Sequence, residues 1–305
     1  MEEKELETLS PILEARDLHK SYGKHEVLKG VSFSVYPGEV FGFIGKNGAG
    51  KTTLMRLVLG AAMPSDGNIE LFGGEELSRA RHRIGALLEY PCLYKGCSAY
   101  ENLKRFSLLT GNTKDELLEI LELVGLKNVG KKKVGKFSLG MKQRLAIGVA
   151  LLGHPEFLVL DEPVNGLDPA GIKEIRDVIL RLNREKGVTF LISSHLLDEL
   201  SKIVTTYGII KDGVLIEQIS AEELEARCRH HLKITVDNVQ KALSLLACIT
   251  DRNTIKAEGN SLYLYSLIDK SDRINRLLVR HGVRVSELKI QTASLEEYFL
   301  ERMGS

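Results

Sequence analysis

The chain has 305 residues, 43% of them apolar and 27% charged, which suits a folded protein with one large domain and a smaller second one. Its formal net charge of +1 gives no global field of the kind that marks a nucleic-acid-binding protein, and its four cysteines form no close CxxC pair that would indicate a zinc or redox site. We expect no signal peptide, because the start is acidic and polar, and no membrane span, because no apolar run approaches about 20 residues.

The first half of the chain alternates predicted strands with a glycine-rich loop. Residues 12–20 and 27–35 alternate apolar and polar side chains, as half-buried strands do. The apolar run 40–44 stops at the glycine-rich segment, and a helix is predicted from about residue 51 to 61. Strands are predicted near 68–72 and 84–89. From 99 to 153 the apolar spacing is helical, with Leu103, Phe106 and Leu109 on one face.

Beyond residue 153, short apolar runs alternate with helical segments. Residues 157–160, 188–192 and 206–210 have the unbroken apolar character of strands buried in a parallel sheet. This alternation predicts an α/β fold with right-handed crossovers. Residues 222–305 contain no catalytic motif, and their strand and helix patterns predict a small α+β domain.

The segment from Gly45 to Thr53 matches the phosphate-loop pattern GxxxxGK[ST] between a predicted strand and a predicted helix. Glycines let backbone N–H groups turn inward, and the helix presents its positive end to an anion. Lys51 would reach the terminal phosphates, and the Thr52 hydroxyl would bind Mg²⁺. The alternative is a glycine-rich turn without a ligand. The predicted nucleotide-binding residues of this loop are Gly45, Lys46, Asn47, Gly48, Ala49, Gly50, Lys51, Thr52 and Thr53.

Four further motifs follow in order. They are Phe-Ser-Leu-Gly-Met-Lys-Gln-Arg at 137–144, an apolar strand ending in Asp-Glu at 161–162, Gly-Leu-Asp-Pro at 166–169 and Ser-His at 194–195. Over about residues 12–220 this order resembles the ATP-binding cassette (ABC) ATPase family. The resemblance implies a P-loop ATPase domain over 12–221 with a helical subdomain at about 91–154, followed by a C-terminal accessory α+β domain over 222–305.

The resemblance also implies roles for single residues. Tyr22 would stack on adenine, unless it is an ordinary tyrosine at a strand end. Asp161 would hold Mg²⁺ through its carboxylate. Glu162 would be the general base for the attacking water, and His195 would contact the γ-phosphate.

A second copy of the chain is expected as a partner, with ATP held between the two copies. The Ser138 hydroxyl and the Gly140 N–H would bind the γ-phosphate held by the opposite subunit, and Asp168 would lie in the same seam. Helix capping alone is the alternative explanation for Ser138, because serine is a preferred N-cap residue.

Two departures from the common family pattern are visible. Leu139 and Met141 replace the first glycine and the glutamine of the usual signature, and Glu89 stands where a glutamine usually contacts Mg²⁺. Glu89 would still be a metal ligand, unless it is a solvated glutamate at a strand end. Both departures occur in the branch of bacitracin-resistance and lantibiotic-immunity ATPases, whose C-termini resemble residues 294–300.

That branch implies an exporter of antimicrobial peptides or drugs, in which ATP-driven dimerisation powers a separate integral membrane permease. The chain would be a peripheral protein on the cytoplasmic face of the membrane. One alternative is a non-transport ABC ATPase acting on ribosomes or DNA. Such proteins commonly carry two cassettes or a long coiled coil, whereas this chain has one cassette and no heptad run, so we expect no nucleic-acid partner.

Another alternative is a binding module that uses nucleotide only as a switch, against which Asp161, Glu162 and His195 argue. A basic run, Lys131–Lys133 with Lys136, precedes the signature. It has two interpretations, a solvated loop or a contact with anionic lipid headgroups.

Overall fold

The computed structural model describes residues 10–88, 92–195, 200–228 and 231–291, together with residues 295, 298, 299 and 302. By its internal contacts the chain divides into two compact units, Met1–Ala221 and Glu222–Ser305. The predicted fold class is confirmed, because strands alternate with helices along the first unit and an α+β arrangement fills the second.

Nine strands of the first unit form two sheets. Their bounds are β1 (Leu13–Tyr22), β2 (His25–Val35), β3 (Val40–Ile44), β4 (Asp66–Leu71), β5 (Ile84–Leu87), β6 (Phe157–Asp161), β7 (Thr189–Ser194), β8 (Thr206–Lys211) and β9 (Val214–Ser220). Strands β2-β1-β4 form a three-stranded antiparallel sheet. Strands β5-β6-β7-β3-β8-β9 form the second sheet, in which all neighbours are parallel except β8 and β9.

The parallel strands bring the predicted motifs to one edge of the sheet. Every residue of β3, β6 and β7 is buried, which explains the apolar runs at 40–44, 157–160 and 190–192. In the register, Ile44 lies opposite Ser194, and Asp161 lies opposite Ser193. The phosphate loop after β3 and the acidic pair at the end of β6 therefore leave the sheet at the same edge, on either side of β7, where ligands bind in open α/β sheets.

The helices of the first unit include α1 (Lys51–Val58), which ends three residues before its predicted end near residue 61. Their bounds are α1 (Lys51–Val58), α2 (Leu77–Ala80), α3 (Ala99–Phe106), α4 (Lys114–Leu123), α5 (Leu139–Ala150) and α6 (Pro169–Lys186). Helix α3 begins with a capping box in which Ser98 and Glu101 satisfy each other's backbone N–H groups, and α4 begins with the same device at Thr113 and Glu116.

The prediction that Leu103, Phe106 and Leu109 share one helical face is wrong for Leu109. Helix α3 ends at Phe106, and the Leu109 N–H bonds the Phe106 carbonyl in a turn at 3.2 Å. Leu103 is buried, whereas 90% of Leu109 is exposed. The turn rotates the chain away from the helical repeat, so the periodicity no longer applies.

The second unit is a split β-α-β arrangement. It contains β10 (His231–Val236), β11 (Ile255–Glu258), β12 (Ser261–Leu264) and β13 (Val285–Gln291), in the antiparallel order β11-β12-β10-β13. Helix α7 (Ala221–Arg227) precedes them, α8 (Val239–Leu246) follows β10, and α9 (Ser271–Arg280) follows β12. Leu232, Ile234 and Val236 alternate with half-buried residues along β10 and pack with both later helices in one core.

Candidate active site

The phosphate loop lies between β3 and α1, as predicted. Two of its glycines are required by close approach: a Cβ at Gly45 would lie 2.4 Å from the Ile210 carbonyl oxygen, and one at Gly50 would lie 2.7 Å from Leu28 Cδ2. Gly50 also has a φ of 107°, in the left-handed region. Gly50 caps α1 without a side-chain acceptor. The first N–H groups of α1 are therefore suited to an anion.

Lys51 is buried at the centre of the loop and has three oxygen neighbours. Its Nζ donates to the Gly45 carbonyl at 2.6 Å and to the Lys46 carbonyl at 3.4 Å, and lies 3.4 Å from Glu162 Oε1. A buried ammonium needs such partners because desolvation penalises an unpaired charge. The carbonyls hold the ammonium at the loop, and its remaining contact is the carboxylate that the sequence identifies as the base.

Thr52 and Asp161, the two predicted metal ligands in the described part of the chain, are in direct contact. The Thr52 hydroxyl donates to Asp161 Oδ2 at 2.7 Å. No group of three or more His, Cys, Asp or Glu side chains within the described residues could hold a metal ion. A hydroxyl beside one carboxylate nevertheless fits Mg²⁺, which commonly takes one or two carboxylates and completes its shell with substrate phosphates and water.

Glu162 stands between Lys51 and His195. Its Oε2 lies 2.8 Å from His195 Nδ1, while Oε1 faces the Lys51 ammonium. Its φ is 48°, a left-handed conformation that a glutamate adopts only when its surroundings enforce it. The structure therefore brings the predicted base, the predicted histidine and the phosphate-loop lysine into one contiguous group.

Ser193 completes this group, and sequence reasoning missed it. Its hydroxyl donates to Asp161 Oδ1 at 2.5 Å and accepts the Glu162 N–H at 2.8 Å. Ser193 is fully buried, so water has no access to replace either bond. The available signal was the serine pair Ser193 and Ser194, which lies between the apolar part of β7 and the motif histidine.

The signature segment and the Asp168 turn form a second group. Ser138 caps α5 by accepting the Met141 N–H at 3.2 Å, and Asp168 caps α6 by accepting the Gly171 N–H at 3.1 Å. Gly140 packs near Gly171, but a Cβ there would make only ordinary contacts, at 3.6 Å or more. No hydrogen bond or ion pair among the described residues joins Ser138 to the Lys51 group.

The two remaining predictions are Tyr22 as the adenine-stacking residue and Glu89 as a metal ligand. Tyr22 ends β1 with 48% of its surface exposed, and the Lys20 ammonium lies 5.0 Å from its ring centroid. An exposed ring at the end of a strand is accessible for stacking. Glu89 lies outside the described residues.

The fold and the geometry of this site place the chain in the class of P-loop nucleotide-binding proteins. A family model described as "ABC transporter" matches residues 28–165. Over 301 residues the chain is 40% identical to the bacitracin transport ATP-binding protein BcrA of Bacillus licheniformis, covering 97% of this chain and 98% of that protein. It is 42% identical over 217 residues to the lantibiotic transport ATP-binding protein SrtF of Streptococcus pyogenes, covering 70% of this chain and 94% of that protein.

A solved structure shows the same fold. It is cbiO1 of Clostridium perfringens, part of the ABC transporter complex cbiONQ, with a TM-score of 0.66 and 28% identity, covering 71% of this chain and 91% of that one. The chain belongs to the ABC transporter family of ATP-binding proteins, and it is an ATPase of that type. None of the helices in the described part of the chain has the length and apolar character needed to cross a bilayer.

Proposed function

We propose that this chain is the ATP-hydrolysing subunit of an exporter of antimicrobial peptides or drugs of the bacitracin or lantibiotic type. The observation that carries the catalytic part is the continuous group formed by Thr52, Asp161, Ser193, Glu162 and His195, directly beside Lys51. The cargo class is supported by the two relatives named for bacitracin and lantibiotic transport, one of which matches nearly the whole chain.

The substrate is ATP, held by the phosphate loop. Backbone N–H groups at the start of α1 bind phosphate oxygens, and Lys51 donates to the terminal phosphates from the position that the Gly45 carbonyl fixes. Tyr22 stacks on the adenine ring. Thr52 and Asp161 hold Mg²⁺, with Glu89 as a further carboxylate ligand. The metal, when bound, draws negative charge from the phosphate oxygens.

Hydrolysis requires a base for the attacking water, and we assign this role to Glu162. Both of its carboxylate oxygens are engaged in this structure, one near Lys51 and one at His195. Phosphates offer the Lys51 ammonium stronger acceptors, which releases Oε1 for a water molecule. That water attacks the γ-phosphorus and gives a proton to Glu162, while the bond to the ADP oxygen breaks. ADP and phosphate leave, and the proton returns to solvent.

The signature group serves the ATP of a second copy. The oxygen of the Ser138 hydroxyl accepts a hydrogen bond from the Met141 N–H. The hydrogen of the same hydroxyl therefore remains available to donate to a γ-phosphate. A Cβ at Gly140 would make only ordinary contacts within this chain, so no neighbour among the described residues explains the glycine. Close approach by a ligand from outside the chain would explain it. Asp168 lies in the same seam, so ATP joins two copies, and their closure moves an integral membrane permease. The chain is then a peripheral protein at the cytoplasmic face of the membrane.

A capture experiment tests this function. The Glu162→Gln variant is tagged, trapped with MgATP in its host and purified from detergent-solubilised membranes. We expect a multi-span membrane protein to co-purify, and its deletion to sensitise the host to the peptide that it exports. Ribosomal proteins or DNA in the purified material would contradict export while leaving the ATPase intact. The Lys51→Ala variant, which loses the phosphate-loop ammonium, is the control for ATP-dependent capture.

A further inference from the structure

Two leucines following α3 are the most exposed large apolar side chains of the described residues. Leu108 is 81% exposed and Leu109 is 90% exposed. Their backbone is nevertheless held in place. The Gly111 N–H bonds the Ser107 carbonyl at 2.7 Å, and Ser107 itself is buried. A fixed turn thus presents two adjacent leucines to solvent. Leaving their apolar surface in contact with water is unfavourable in free energy.

The last turn of α3, directly before the leucines, is basic. Lys104 and Arg105 lie in that turn, and Leu108 and Leu109 follow three to five residues later, beyond the helix end at Phe106. Both cations are exposed. The Arg105 guanidinium lies 5.1 Å from the ring centroid of Tyr94, which is also exposed. Two exposed cations are therefore followed closely along the chain by two exposed leucines.

The lysine run before the signature is fixed beside the start of α3. The Val134 N–H bonds the Cys97 carbonyl at 2.8 Å, and the Gly135 N–H bonds the Lys95 carbonyl at 2.8 Å. Lys133 pairs with Glu101 of α3 at 3.1 Å. The backbone bonds and the ion pair therefore hold the lysine loop beside the start of α3, the helix that leads to the two leucines.

Most of the positive charge of these two segments is not neutralised. Lys104, Lys131 and Lys132 are exposed and form no ion pair among the described residues, although Lys132 also stands 5.8 Å from the Phe137 ring centroid. The whole chain carries a net charge of only +1, so this clustering is a local asymmetry. Unpaired cations around exposed leucines match a surface with dense negative charge and an apolar interior.

We propose that this basic face (Lys104, Arg105, Leu108, Leu109, Lys131 and Lys132) docks directly on an anionic lipid surface. The cations contact lipid phosphates, and the two leucines enter the boundary between headgroups and acyl chains. Apolar insertion combined with electrostatic attraction is how surface-bound segments hold to anionic membranes. Direct lipid contact goes beyond attachment through a permease, because it requires no protein partner.

Vesicle binding by the purified full-length chain tests the proposal. Binding is measured by co-sedimentation with vesicles of phosphatidylcholine alone and of phosphatidylcholine mixed with phosphatidylglycerol, at low and high salt. One variant carries Lys104→Ser, Lys131→Ser and Lys132→Ser. Its matched control carries Lys29→Ser, Lys173→Ser and Lys241→Ser, which removes three exposed lysines that belong neither to α3 nor to the lysine loop. A second variant carries both Leu108→Ser and Leu109→Ser. Its control is Met63→Ser, which changes another exposed apolar residue.

We expect the wild type to bind only the anionic vesicles and to be released by salt. The triple-lysine variant should bind at least about tenfold more weakly, with about 150-fold as the limit if each lysine contributes roughly 1 kcal/mol at the surface. The double-leucine variant should also lose binding, while both controls and ATP hydrolysis in solution stay unchanged. Wild-type protein that ignores anionic vesicles, or a face variant that binds as well as its control, would overturn the proposal. The proposal would also be overturned if the triple-lysine or the double-leucine variant bound vesicles as the wild type does but lost its co-purifying membrane protein.

Discussion

Replacing Ser193 by alanine tests whether this buried hydroxyl positions both acidic residues of the site. The change removes the donor to Asp161 Oδ1 and the acceptor of the Glu162 N–H, at 2.5 and 2.8 Å. Because Ser193 is fully buried, water does not restore either bond. Leaving a buried polar group unpaired costs roughly 1–3 kcal/mol of folding stability.

The effect on catalysis should exceed the effect on binding. Glu162 holds a φ of 48°, and the bond from its N–H to Ser193 is one of the contacts that maintain this conformation. Without it the base relaxes away from its position, and a displacement of about 1 Å lowers turnover by up to about a hundredfold. Among the described residues, the hydrogen bonds of the Ser193 hydroxyl go to Asp161 and Glu162 and not to the phosphate loop, so KM for ATP should change less than kcat.

Thr189→Val is the matched control. Thr189 lies on the same strand, β7, and its hydroxyl accepts the Gly38 N–H at 2.9 Å, at the opposite end of the strand from the acids. Phosphate release at varied ATP and urea unfolding followed by circular dichroism are measured for both variants. We expect comparable losses of stability but a loss of kcat only in Ser193→Ala. Equal kcat values for the two variants would refute a positioning role for Ser193.

Three further outcomes follow from the structure. Ser138→Ala should lose about 1 kcal/mol of unfolding free energy as well as turnover, whereas Ser138→Asp should keep the N-cap but lose turnover through repulsion of the γ-phosphate; full turnover by either would leave capping as the sole role. The Ser98 backbone N–H, with help from Lys133, lowers the pKa of Glu101 from 4.5 to about 2. The stabilisation that the Glu101 carboxylate gives to the folded state should therefore be complete above pH 4.5 and disappear as the pH falls towards 2. The urea midpoints of the wild type and the Glu101→Gln variant should then converge in acid. Gly85→Ala would place a Cβ 2.0 Å from the Ala150 carbonyl oxygen and should cost about 1–3 kcal/mol, whereas Gly96→Ala, with nothing within 4 Å, should leave thermal unfolding unchanged.

The buried parallel strands could be predicted from the sequence because their signal is local. Strands β3, β6 and β7 each contain an apolar run, and each leads into a motif whose residue types are dictated by phosphate chemistry. Strand β9 was missed because Ile219 is its only buried residue, so its pattern carries little periodicity. Strand β13 was missed because it is defined by distant pairing with β10.

Site residues that belong to a sequence motif could be predicted, whereas residues whose role depends on three-dimensional contacts could not. Lys51, Asp161 and Glu162 follow from their motifs, but the two bonds of Ser193 depend on strand register, which one sequence does not show. Leu109 illustrates the opposite error, because helical periodicity was extended past the residue where the helix ends.

Turnover by the Glu162→Gln variant tests the central claim most directly. The substitution keeps the size and a hydrogen-bonding group beside His195 but removes the carboxylate that accepts the proton. We expect the purified variant to bind MgATP, to form a stable dimer with it and to release phosphate at least about a hundredfold more slowly than the wild type. Phosphate release at the wild-type rate would contradict the assignment of Glu162 as the base.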